Sequence, residues 1–183
     1  MAACEDLGPI GGTTVPTADL VVLPLAGGAP AASAATFWVS NRTPVVRSLR
    51  HPDAFNTLYL ELRFPAGCLS SLNGQPLTVN DSVLVTVAPR AGGYGFTLSP
   101  SGLVFTLAST PSVTLSYGRY ADPSVADGVP TYPDRASYLA ALEIWEEATV
   151  DRWRVARGSS ATGVDELGAA VDAPGAFLVA ARR

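Results

Sequence analysis

The sequence contains no lysine; all twelve of its basic residues are arginine. It has one histidine and two cysteines, and charged residues fill only 15% of its 183 positions. That is well below the roughly one quarter usual for soluble domains. Each scarcity excludes something. No run of basic residues is available to track a phosphate backbone, which argues against nucleic acid as a partner. Two cysteines and one histidine cannot complete an ordinary four-ligand structural zinc site. Any Ser-His-Asp triad would have to use His51, and no Gly-x-Ser-x-Gly elbow is present to hold its nucleophile. The most apolar stretch, Leu20 to Val39, is interrupted by Pro24, Gly27, Gly28 and Pro30, so it does not cross a bilayer as a regular helix.

What the chain does have is apolar material, 48% of its residues, and a formal net charge of -4. A weakly charged surface is easier to bury against a partner than a heavily charged one, which favours an assembly subunit. The codon usage of a GC-rich bacterial genome accounts for the all-arginine set as readily as selection for bidentate contacts does. Cys4 follows Ala2-Ala3, and this small-small-Cys order resembles the end of a bacterial lipoprotein signal. On that reading Cys4 carries a lipid anchor and the protein is periplasmic or cell-surface. An incidental cysteine and a Cys4–Cys68 disulfide are the alternatives, and only geometry separates them.

Residues 1–35 are rich in Gly, Ala, Thr and Pro and read as an extended arm or linker, with one short strand candidate at Leu20 to Leu23. Phe37-Trp38-Val39 marks a second strand. From Leu58 the period is two: Leu58, Leu60, Leu62 and Phe64 alternate with Tyr59, Glu61 and Arg63, and Val83, Val85 and Val87 repeat the pattern. Tyr94 to Leu98, Leu103 to Leu107 and Val113 to Tyr117 follow at about ten-residue spacing with Pro and Gly between them, the pattern of a sandwich or barrel. The expectation is an all-β, Ig-like antiparallel β-sandwich: a core over 36–120, a connecting loop over 121–137, and a C-terminal β extension over 138–183 packed on the sandwich. At Tyr138 to Glu147 helix and strand compete; Asp134 can cap a helix, and strand is favoured from Leu142 onward.

Phe64-Pro65-Ala66-Gly67, Val83 to Val87, Tyr94-Gly95-Phe96, Ser101 to Phe105 and Pro111 to Tyr117, in that order, resemble the ZU-five-type domain of zonula occludens proteins, ankyrins and netrin receptors. Leu142 to Trp145, Arg152 to Val155, Ala169 to Val171 and Gly175 to Val179 resemble the closing strands of bacterial members, so the resemblance spans about residues 56–181. It implies a protein–protein interaction module without catalytic residues, metal or cofactor. Some relatives cleave themselves at a His-Phe-Ser site; here His51 is followed by Pro52 and Asp53, so self-cleavage is not expected.

Several local patterns compete with this reading. His51-Pro52-Asp53 spells the J-domain tripeptide but precedes an alternating strand, where Pro-Asp is ordinary turn chemistry. Glu143, Glu146, Glu147 and Asp151 offer paired carboxylates, although Arg152 and Arg154 beside them predict cross-strand ion pairs instead. Asp122, Asp127 and Asp134 offer calcium ligands without EF-hand spacing. Asn41 and Asn80 head formal glycosylation sequons. Trp153, between two arginines, reads as core, whereas Tyr132, Tyr138 and Trp145 read as exposed aromatic anchors for a protein partner. The chain is thus expected to be a non-catalytic interaction or scaffolding module at the bacterial envelope, an accessory subunit stabilising a larger membrane complex. The alternative is a carbohydrate- or ligand-binding surface module.

Overall fold

The computed structural model describes residues 13–183. Strands β1 (Val15–Pro16) and β2 (Leu20–Val22) flank a single 3-10 turn at Thr17–Asp19. β3 (Ala35–Ser40), β4 (Val45–Arg50) and β5 (Leu58–Phe64) follow, then β6 (Leu69–Leu72), β7 (Gln75–Pro76) and β8 (Ser82–Pro89). β9 (Gly95–Ser99), β10 (Leu103–Phe105) and β11 (Ser112–Ser116) lead to a helix, α1 (Arg135–Ala140). The remainder is β12 (Glu143–Thr149), β13 (Arg152–Val155), β14 (Ser160–Gly163), β15 (Glu166–Ala170) and β16 (Ala176–Arg182).

The strands form antiparallel sheets in a sandwich-like arrangement, as the alternating pattern predicts. One sheet runs β1-β13-β12-β16-β9-β8-β3, with β2 also paired to β16; the other runs β14-β15-β11-β5-β4; and β10-β6-β7 form a small third sheet. The inner faces of the two large sheets supply the main core: Phe37, Val39, Val83, Val85, Val87, Phe96, Phe177 and Val179 from one, and Leu60, Leu62, Phe64, Val113, Leu115 and Leu167 from the other. Each such side chain contributes about 1.5–3 kcal/mol by leaving water.

The C-terminal strands expected as an extension are wired into both sheets. β15 pairs with β11 in one sheet, and β16 lies between β12 and β9 in the other. The N-terminal arm is also partly structured: β1 pairs with β13 and β2 with β16, so residues 15–22 form a strap across the sheet. Of the two alternatives open at 138–147, the structure takes a helix first: α1 begins inside the expected 121–137 loop, Asp134 caps it by accepting from the Ser137 amide at 2.7 Å, and the chain is extended again by Glu143.

Tyr59 departs from strict alternation. Leu60 pairs with Leu49 while Leu58 pairs with Arg50, leaving Tyr59 as the extra residue of a bulge. The bulge turns its ring away from the solvent face and into the core, where it is 1% exposed. Its hydroxyl donates to the Gly95 carbonyl at 2.6 Å and accepts from the Gly95 amide at 3.0 Å, tying the two sheets together. Burial pushes the phenol up to about 12. Only glycine fits opposite it, since a Cβ at Gly95 would sit 2.3 Å from the Phe177 carbonyl oxygen.

Candidate functional site

The outer face of the eight-stranded sheet has two unlike halves. Registers place Trp38, Leu84, Thr86, Thr97, Ala176, Leu178, Trp145 and Trp153 on this one face. Over β13, β12 and β16 the strap closes it: Val15, Leu20, Trp145, Trp153, Leu178 and Ala180 make a second buried cluster. Thr17 in the strap accepts a hydrogen bond from Trp153 Nε1 at 2.8 Å, and Arg90 lies over the same indole, 5.1 Å from its centroid. Over β3 and β8 nothing in the described residues covers the face. Trp38 is 62% exposed and its cross-strand partner Leu84 is 47% exposed. Thr36 and Thr86 hydrogen-bond each other at 2.8 Å beside them.

β3 is also the sheet's last strand on that side. It pairs with β8 over six residues without a register break, and its sequence, Ala-Thr-Phe-Trp-Val-Ser, has no charge, proline or glycine. Asn41 anchors its end. The Asn41 side chain, 6% exposed, donates to the Leu69 and Thr78 carbonyls at 3.0 Å each and accepts from the Leu69 amide at 2.9 Å. With its amide so engaged, Asn41 does not present a glycosylation site.

The three aromatic residues expected as exposed anchors are buried instead. Tyr138 is 0% exposed, Trp145 2% and Tyr132 9%. Tyr138 donates to the Val21 carbonyl, Tyr132 to that of Arg182, and Trp145 Nε1 to that of Ala180. The flanking Glu146 and Glu147 suggested an exposed Trp145, but the strap adds a second apolar layer that covers it. Trp153 is core, as read from the sequence. Among the described residues the exposed tryptophan is Trp38, flanked by buried Phe37 and Val39.

The other chemical candidates are engaged structurally. His51 is 1% exposed; its Nδ1 donates to the Pro30 carbonyl at 2.6 Å, which fixes the Nδ1–H tautomer if the ring is neutral, and its Nε2 has no partner. The ring packs against Tyr59 and Tyr120, with centroids 5.3 and 4.5 Å apart. Asp53 does not orient it. That carboxylate accepts from Thr57 Oγ1 at 2.5 Å, the Thr57 amide at 2.9 Å and Tyr120 OH at 2.7 Å, with Arg119 at 3.4 Å. The Thr57 hydroxyl leads in holding Asp53 well below the usual carboxylate range. Glu146 pairs with Arg154 across β12 and β13 at 2.6 Å, the cross-strand ion pair the sequence predicts. Asp122 caps the 3-10 turn Pro123–Ala126, Asp127 pairs with Arg135 and Asp134 caps α1. The described residues hold no cluster of three metal-ligating side chains.

Cys68 is a free, fully buried thiol, pushed up to about 11 by burial, so it is a poor nucleophile. Cys4 lies outside the described residues. No helix among the described residues is long and apolar enough to cross a membrane. Comparison with protein-family models, with curated proteins and with solved structures found no match for this chain.

Proposed function

We propose that this chain is a non-catalytic protein–protein interaction module of the bacterial envelope, an accessory subunit that docks on a larger complex through the uncovered half of its eight-stranded sheet. The observation that carries the reading is the Trp38–Leu84 pair, a large apolar contact left in solvent beside an uncharged edge strand. Tryptophan on a rigid strand is a favoured interface anchor, because it adds much apolar area for few rotatable bonds. The ZU-five-type resemblance over residues 56–181 supports the same class of function, and the lipid anchor at Cys4 would hold the module at a membrane surface.

The test is native purification from the source membranes, comparing the natural chain with Trp38→Ser/Leu84→Ser. A complex that forms with the natural chain and dissociates with the double variant is expected. Recovery of both as free monomers at equal yield overturns the proposal.

A further inference from the structure

The edges of these sheets are not alike. β1 and β7 are two residues long and each contains a proline, Pro16 or Pro76. β10 is three residues long with a register break between Val104 and Phe105. β14 is interrupted between Ala161 and Gly163, and β4 between Leu49 and Arg50, with Arg47 and Arg50 along it. These are the devices by which natural sheets prevent a further strand from adding. β3 has none of them.

The ladder phase shows which of its backbone groups are open. The Asn41 amide donates to the Asp81 carbonyl, so positions 41, 39 and 37 face β8 in the hydrogen-bonded phase. Positions 36, 38 and 40 therefore aim their N–H and C=O away from the sheet. An incoming strand meets three donor–acceptor positions, with the Trp38 and Thr36 side chains on one face.

Charge then selects among occupants. Arg42 lies two residues beyond the end of β3 and is exposed; Arg47, on β4, lies over the Phe37 ring, 5.5 Å from its centroid. Neither has a carboxylate partner among the described residues. The nearby carboxylates are engaged: Asp81 by the Thr78 amide at 2.6 Å and hydroxyl at 2.7 Å, and Glu61 by Arg63 at 2.5 Å. A second copy of the chain would add two more arginines to this edge without a free carboxylate to offset them, whereas an acidic segment would neutralise Arg42 and Arg47.

We propose that β3 accepts an extended acidic segment of a partner protein as an added strand, with main-chain hydrogen bonds at positions 36, 38 and 40, Trp38 covering an apolar side chain, and Arg42 and Arg47 pairing with flanking carboxylates. This rests on the interaction-module reading and names the partner's chemistry.

The experiment titrates the full chain with two synthetic ten-residue peptides of alternating Val and Thr, one flanked by two Glu at each end and its twin by two Lys. Binding is followed by fluorescence anisotropy, amide exchange and sedimentation. The acidic peptide is expected to bind at least tenfold tighter than its twin, to slow exchange of the Thr36, Trp38 and Ser40 amides, and to weaken as salt is raised. Thr36→Pro removes one outward N–H at a site where edge strands tolerate proline, and should weaken binding about tenfold with an unchanged circular dichroism spectrum. Arg42→Glu/Arg47→Glu should reverse the peptide preference. Equal binding of the twins, or protection elsewhere than β3, overturns the proposal. So does concentration-dependent dimerisation that Thr36→Pro abolishes, which assigns the edge to a second copy. A native complex that survives Thr36→Pro and the arginine reversal but not Trp38→Ser/Leu84→Ser overturns strand addition while leaving the interaction module intact.

Discussion

The covered and uncovered halves of one sheet face carry similar chemistry and have opposite fates. Trp145, Trp153 and Leu178 lie beneath the 15–22 strap, while Trp38 and Leu84, a few strands away on the same face, remain in solvent. A strand's own residues therefore do not decide whether its outer face is core or surface. The decision belongs to whatever crosses it, here a segment more than a hundred residues away in sequence from the tryptophans it covers.

That contrast can be broken by substitution. Trp153→Ala should cost about 3–5 kcal/mol in urea denaturation, the range for a buried large aromatic. Trp38→Ala should fall within about 0.5 kcal/mol of the natural chain, as for other surface changes. Equal losses at the two sites would mean that Trp38 is part of the fold and not a reserved contact.

Asn41→Ala tests whether β3 is held firmly enough to serve as a docking edge. It leaves the buried Leu69 amide and carbonyl without their partner, and should cost about 1–3 kcal/mol. A loss well below that range, with amide exchange of β3 unchanged, would show that β8 alone fixes the strand.

Alkali should act on the interior. Tyr59 is raised to about 12 and Cys68 to about 11 by burial, with Tyr94 and Tyr138 raised likewise. The unfolded chain releases these protons first, so their contribution is fully present below about pH 9 and is lost as pH climbs through 9 to 12. A melting temperature that falls over this window, less steeply in Tyr59→Phe, is the expected outcome. A flat profile would place these hydroxyls in contact with solvent. Among the changes that remove a native contact of the fold, the smallest loss is expected from Thr17→Val, which removes the strap's hydrogen bond to Trp153 for about 1 kcal/mol.

The sequence made the sandwich legible wherever one face of a strand is wet. Leu60, Leu62 and Phe64 alternate with Glu61 and Arg63, and the structure keeps that alternation. The change from helix to strand after Ala140 was readable from Asp134 and the spacing of Leu142 and Ile144. β4 was not, because only Leu49 of its six residues is buried and no period survives. Nor was the fate of the tryptophans. Strands apolar on both sides, such as Phe37-Trp38-Val39 and Phe177 to Ala181, lack a period that tells inner from outer. Trp38 thus carries no mark of the face it takes, and at Trp145 the flanking Glu146 and Glu147 point to solvent where the strap lies.

The position of β16 sets an order on the making of this protein. Its neighbours β2, β9 and β12 are all synthesised before it, and Ala180 pairs with both Val22 and Glu143. Until residues 176–182 have left the ribosome, the larger sheet is in three pieces, β1-β13-β12, β9-β8-β3 and β2, with an open slot among them and unpaired strand edges facing it. Pairing across such sequence distances is slow, and exposed edges recruit other chains while they wait. A nascent chain stalled before β16 is thus the form of this molecule most in need of a chaperone, and insertion of one seven-residue strand removes that need.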